Sequence, residues 1–183
     1  PKAISDNTYV PTTVTIDKSK AVGEIPIQTG VSPTGAKTYT VPIQVYPGIN
    51  GFEPQLSLAY NSQQGNGIVG IGWGIGGVQS IMRTSRNIYY DGKPQGALRT
   101  KADAFVLDGM RLIKISENAT TINYESEQGN IKVKAFLSGD VVKYFEVFYP
   151  NGTKGIFGYA SNTSNKIFYP IVSLSDLRNN QIL

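Results

Sequence analysis

The 183-residue sequence contains no histidine and no cysteine. The first absence removes every Ser-His-Asp triad, every Cys-His pair and every imidazole zinc site. The second removes any disulfide framework and any thiolate centre, but leaves the compartment open. An enzyme built from this chain would have to work with carboxylates, tyrosine, lysine or arginine. Charge is scarce too, with Asp, Glu, Lys and Arg at 16% against a usual value of about 25%. There is no run of about 18 apolar residues and hence no membrane-spanning helix. No signal peptide is present and the first residue is Pro1 rather than Met, so the chain is expected to be a processed or excised piece of a longer protein. Helical periodicity is also missing, since no window of about 11 residues keeps apolar positions at i, i+3, i+4 and i+7.

The residues that are present favour strands and turns. Hydrophobic residues make up 40%, with 20 Gly, 10 Pro and 11 Tyr among many Thr, Ser and Asn. A chain of this length buries roughly 70% of its unfolded surface and is expected to form one domain. The net charge is +4 with pI near 9.2. The densest basic cluster is Arg83, Arg86, Lys93, Arg99 and Lys101, opposed over that span by Asp91, and it reads as a solvated face. A nucleic-acid groove needs more charge with aromatics at stacking intervals, so no nucleic-acid partner is expected.

Residues 1–20 are polar and Thr-rich and read as an N-terminal tail before a β domain spanning 21–183. "GAKTYTVPIQVYPG" (35–48) alternates Tyr39, Val41, Ile43 and Val45, and Pro42 assigns the strand to an edge or a bulge. "PQLSLAYNS" alternates Leu56, Leu58 and Tyr60, the pattern of a half-buried strand. Asp91-Gly92, Asp108-Gly109 and Asn151-Gly152 lie between apolar or β-branched flanks and predict hairpin turns, because these dipeptides tolerate positive φ. "FVLDGMRLI" is then a tight hairpin with Phe105 and Leu107 answered by Leu112 and Ile113. "VKYFEVFY" places Val142, Tyr144, Glu146 and Phe148 on one face and Lys143, Phe145, Val147 and Tyr149 on the other, which predicts cover on both sides. Residues 115–128 read as a polar loop. The fold class is all-β, an antiparallel hairpin meander of about ten strands in a curved or two-layer sheet.

"GNGIVGIGWGIGG" (65–77) matches the dinucleotide pattern G-x-G-x-x-G twice, at Gly65, Gly67, Gly70 and at Gly72, Gly74, Gly77. That fingerprint needs a helix at its end whose N-terminus receives the pyrophosphate, whereas residues 78–90, "VQSIMRTSRNIYY", are β-rich. No cofactor is expected. At period two, Val69, Ile71, Trp73 and Ile75 share one face, while Gly70, Gly72, Gly74 and Gly76 leave the other bare. Alternate glycines predict close packing, so Gly65, Gly67, Gly70, Gly72, Trp73, Gly74 and Gly76 are the candidate structural residues.

Glu125 and Glu127, and Asp103 and Asp108 about Phe105, are the candidate carboxylates. A glycosidase needs two acids facing each other across about 5–10 Å, and solvated surface acids are the default reading. Eleven Tyr and one Trp could line a sugar-binding face, although their interleaving with Val, Ile and Phe favours packing.

With these residues placed, the order of motifs resembles the SpvB/TcaC-type N-terminal domain of Tc insecticidal toxin B components, SpvB-like virulence proteins and RHS/YD-repeat proteins. The resemblance rests on Gly-Glu-Ile-Pro (23–26), Pro-Thr-Gly (33–35), Val-Pro-Ile (41–43), Pro-Gly (47–48) and Pro-Gln-Leu-Ser-Leu-x-Tyr-Asn-Ser (54–62). It continues through Gly-Asn-Gly-x-x-Gly-x-Gly-Trp (65–73), Ile-x-Arg (81–83) and Asp-x-Phe-x-Leu-x-Gly (103–109). It implies a segment of an RHS-like β shell that encloses a C-terminal effector, with no catalytic residue carried over. It further implies a secreted or cell-surface bacterial protein whose partners are the rest of its own polypeptide and, secondarily, a toxin subunit. The expected function is a non-enzymatic structural domain, with a carbohydrate- or surface-binding module as the alternative.

Overall fold

The computed structural model describes residues 26–182 except Pro47. The tail expected over 1–20, the first positions of the 21–183 unit and Pro47 of the Pro-Gly motif lie outside the described residues. Strands dominate, in the order β1 (Gln28–Val31), β2 (Lys37–Pro42), β3 (Ser57–Asn61), β4 (Asn66–Gly67), β5 (Gly70–Ile71), β6 (Trp73–Gly76), β7 (Ser80–Thr84), the helical turn α1 (Ile88–Asp91), β8 (Ala104–Leu107), β9 (Met110–Glu117), β10 (Thr121–Ser126), β11 (Lys132–Ser138), β12 (Val141–Phe148), β13 (Lys154–Gly158), β14 (Phe168–Ser175) and β15 (Gln181–Ile182).

β7 to β14 form a closed up-and-down barrel of eight antiparallel strands. Each strand pairs with its sequence neighbour, and β14 closes the ring on β7 with Phe168 opposite Met82. The meander expected from the sequence is therefore present, curved until its two ends meet. Closure satisfies the backbone groups that an open sheet would leave at its edges. β14 is staggered: its start pairs with β7, its end pairs with β13, and β15 takes the flank that β7 vacates.

Three register shifts bend the wall, between Asn123 and Tyr124, Phe136 and Leu137, and Ile156 and Phe157. A bulge adds local twist and re-aims the residues after it, which is how a short-stranded sheet closes. On β12 this alters the expected alternation. Val142 pairs with Leu137 and Tyr144 with Phe136, leaving Lys143 as the extra residue, so Val142, Phe145 and Val147 all turn inward. Only one side of β12 is covered; Phe148 is exposed, and Tyr144 stacks on Phe136 outside the barrel, ring centroids 4.5 Å apart.

The turns follow from local chemistry. Asp108 and Gly109 have φ of 48° and 86° and join β8 to β9 as a two-residue turn, with Phe105 opposite Leu112 and Leu107 opposite Met110 rather than Ile113. Asn151 and Gly152 lie in the β12–β13 turn, where Gly152 has φ 83° and Tyr149 N–H donates to Thr153 O at 2.9 Å. Residues 115–128 are the end of β9, a turn and β10, not a polar loop. Asn118 Oδ1 accepts from Thr120 N–H and Thr121 N–H at 2.9 and 2.8 Å, which makes the reversal, and Ile122 and Tyr124 enter the core. Asp91-Gly92 is not a hairpin turn. Asn87 caps α1 by accepting from Tyr90 N–H, and Gly92 ends the helical turn in the left-handed conformation.

A second sheet, in the order β1-β2-β3-β6, precedes the barrel. Tyr39, Tyr60 and Trp73 stand opposite one another on β2, β3 and β6, with successive ring centroids 5.7 and 5.2 Å apart. Pro42 is the last residue of β2, beyond the final β1–β2 pair at Gln28–Thr40. A groove of about 530 Å³ runs between the segments before β3 and after β6 and strands β14 and β15, lined by Leu56, Val78, Ile171 and Ile182 among others.

Candidate functional site

Two places carry the residues singled out from the sequence: the barrel lumen and the glycine-rich run beside it. Side chains fill the lumen. Phe105, Phe145 and Tyr169 pack edge to face, with centroids 5.0 Å apart for Phe105–Phe145 and 4.9 Å for Phe145–Tyr169, and Ile81, Leu107, Ile122, Val133, Val147 and Phe157 complete the layer.

Arg83 lies within this aromatic cluster. Alternation along β7 sends Ile81 and Arg83 inward, and the Arg83 side chain is 0% exposed. Its guanidinium lies 4.7 Å from the Phe105 ring centroid and pairs with Asp103 Oδ2 at 2.9 Å. It also donates to Thr100 O, to Asn165 Oδ1 at 2.8 Å and to Tyr169 Oη at 3.2 Å, while Tyr169 Oη donates to Val142 O at 3.1 Å. Asp103 accepts in addition from Leu98 N–H and Thr100 N–H, at 3.1 and 3.0 Å. Every polar group here has a partner, and the network ties β7, the turn before β8, β12 and the segment before β14 together. The sequence alone places Arg83 on a solvated face and Asp103 on the surface; in the fold both are buried. The available signal was period two, because Arg83 shares parity with Ile81, and Asp103 with Phe105 and Leu107.

The remaining acids do not gather. Asp108 sits at the other end of β8, where its Oδ1 accepts from Ser80 N–H at 2.7 Å and burial raises its carboxyl above the ordinary value. Glu125 pairs across to Lys132 on β11, and Glu127 accepts from Tyr90 Oη. No group of three or more Asp or Glu suited to a metal occurs among the described residues. Of the tyrosines, Tyr124 and Tyr169 are core residues, whereas Tyr46 and Tyr89 are exposed.

The glycine run is not one strand. Positive φ at Gly70 (125°) and Gly72 (76°) breaks it into the small β4–β5 hairpin, with Gly67 opposite Gly70, followed by β6 on β3. A Cβ at Gly67 would lie 1.9 Å from Trp73 O, at Gly72 2.6 Å from Tyr60 Cε2, and at Gly76 2.6 Å from Ser57 Oγ. At Gly65 it would meet nothing within 4 Å, at Gly70 Trp73 Cδ1 at 4.0 Å, and at Gly74 Gln64 Nε2 at 3.8 Å. The expected apolar face is largely open: Trp73 is half-buried, but Ile71 is 76% exposed, and Val69 and Ile75 are also exposed.

An up-and-down barrel whose lumen is filled by its own side chains, joined to a small antiparallel sheet, is an all-β module. Residues 31–173 match the SpvB family, Salmonella virulence plasmid 65kDa B protein, and the chain belongs to that family. Its fold is similar to part of the crystal structure of TcdB2-TccC3, with TM-score 0.69 and 18% identity over 94% of this chain and 9% of that one. A second likeness is to the crystal structure of TcdB2-TccC3-Cdc42, with TM-score 0.63 and 19% identity over 80% and 8% of the two chains. The chain thus spans about a tenth of the length of the solved chains it matches. No curated protein sequence matches it. Among the described residues, no helix is long and apolar enough to cross a membrane.

Proposed function

We propose that the chain is a non-enzymatic structural domain from the N-terminal region of a secreted or surface Tc-toxin-like bacterial protein. Its sheets add to a β shell, continued by RHS/YD repeats, that encloses or presents a C-terminal effector. The supporting observation is the pairing of a filled barrel with exposed apolar residues on the β4–β5 hairpin and β6 beside it. The lumen is occupied by Phe105, Phe145, Tyr169 and the fully partnered Arg83, while Ile68, Ile71 and Ile75 face outward beside it. In this reading, such exposed apolar side chains within one short segment are covered in the assembled protein. The cover in this reading is the rest of the same polypeptide, with a toxin subunit as a further partner, and the close-approach glycines keep the small sheet thin enough to stack.

The test places Ile71→Glu together with Ile75→Glu in the full-length parent protein. The 183-residue chain should melt unchanged with both substitutions, because both positions are exposed. In the parent, the C-terminal segment should lose its protection against limited proteolysis. Undiminished protection would reject the shell reading.

A further inference from the structure

A second polar site lies on the barrel wall, away from the Arg83 network. The last β8–β9 pair is Phe105–Leu112, and β9 runs on to Glu117 while β8 begins only at Ala104, so the two strands part. The cleft between them, about 240 Å³, is lined by four cations, Arg86, Lys101, Arg111 and Lys114, against two carboxylates, Asp91 and Asp103. Asp103 is already committed to Arg83. Asp91 is shared, lying 2.5 Å from Arg111 Nη2 and 4.0 Å from Arg86 Nε. Arg111 is buried beneath α1, donating through Nη1 to Ser85 O at 3.1 Å, with its guanidinium 5.6 Å from the Tyr90 ring centroid. The Nε–H groups of both Arg86 and Arg111 are buried and have no acceptor. Native structures rarely leave such donors unpaired, and the two arginines share a single carboxylate, Asp91, so a further acceptor fits between them.

We propose that this cleft binds an oxyanion group, a phosphate or the carboxylate of an acidic side chain. The guanidinium fork suits both planar and tetrahedral oxyanions, and the volume suits a single such group rather than a nucleotide. Lys101, which contacts Glu117 at 3.4 Å and Asp140 at 3.2 Å, and Lys114, which contacts Glu117 at 3.1 Å, stand at the rim as exchangeable cations. The oxyanion enters between the arginines and competes with Asp91 for them. This assignment does not depend on the shell reading.

The experiment titrates the ¹⁵N-labelled 183-residue chain with inorganic phosphate and separately with acetate, holding ionic strength constant with sodium chloride. Saturable movement of two arginine Nε–H resonances is expected, weakened about tenfold in affinity by Arg86→Gln, a partly exposed position. Saturation by phosphate alone assigns the phosphate source, and saturation by acetate alone assigns a carboxylate. No saturable movement with either anion overturns the proposal. So does unchanged binding in Arg86→Gln, or an equal loss in Arg178→Gln, an exposed arginine outside the cleft.

Discussion

Arg83 carries its charge in the barrel core on partners far away in the sequence. A guanidinium with no exposed side-chain surface is tolerated because Asp103, Asn165, Tyr169 and the Thr100 carbonyl surround it. Arg83→Met should therefore cost about 3–5 kcal/mol, because it leaves the Asp103 carboxylate buried without its counter-charge. Pairing it with Asp103→Leu should recover only part, since the N–H groups of Leu98 and Thr100 then lose their acceptor. Urea denaturation of the single and double variants measures both effects.

Tyrosine burial predicts the alkaline limit of stability. Burial raises the Tyr149 hydroxyl to about 12 and lifts Tyr124 further. The unfolded chain ionises its tyrosines near pH 10 while these two stay neutral in the fold. Their contribution is fully present below about pH 10 and is lost as pH rises through the folded values. Stability at about pH 11 should fall below that at about pH 9, and phenolate absorbance should show a late-titrating fraction that normalises on unfolding.

At the scale of elements, the glycine-rich run shows where one-dimensional reading stops. Its even spacing predicts a single strand with a bare face, but spacing cannot report the sign of φ. Gly70 and Gly72 adopt positive φ, so the run turns twice and becomes a hairpin followed by a strand. At Gly72 the left-handed backbone alone costs an alanine about 1–2 kcal/mol, and contact with the Tyr60 ring adds about 1–3 kcal/mol of strain. Gly72→Ala should thus lower stability by several times more than Gly74→Ala, whose added methyl would lie 3.8 Å from the nearest atom. Equal denaturation midpoints for the two would sink this account. Asp91-Gly92 fails as a hairpin signal for a related reason. The dipeptide allows a left-handed residue, and the Asn87 cap upstream makes that residue the end of a helical turn. Asp108-Gly109 has no such competitor and turns as its flanks dictate.

At the scale of the whole molecule, closure makes the strands cooperative. A chain ending at Phe148 would lack β13, β14 and β15 and leave β7 and β12 as open edges around an exposed aromatic core. It should show no cooperative thermal transition and should bind a hydrophobic dye. A chain ending at Ser175 lacks only β15 and should retain the transition. Circular dichroism melts of the two truncations check this.

Period-two patterning and Asp-Gly or Asn-Gly turns determined an all-β meander, and the order of motifs determined its family, because strand faces and turns are local properties, while the absence of histidine and cysteine excluded imidazole and thiolate chemistry. Barrel closure, the inward turn of Val142 after the Lys143 bulge, the burial of Arg83 on Asp103 and the unpaired arginine donors were decided only in three dimensions. Each depends on which residues meet across the ring: β14 returns to β7 from 86 residues away, at Tyr169 and Arg83, and no local pattern encodes that contact.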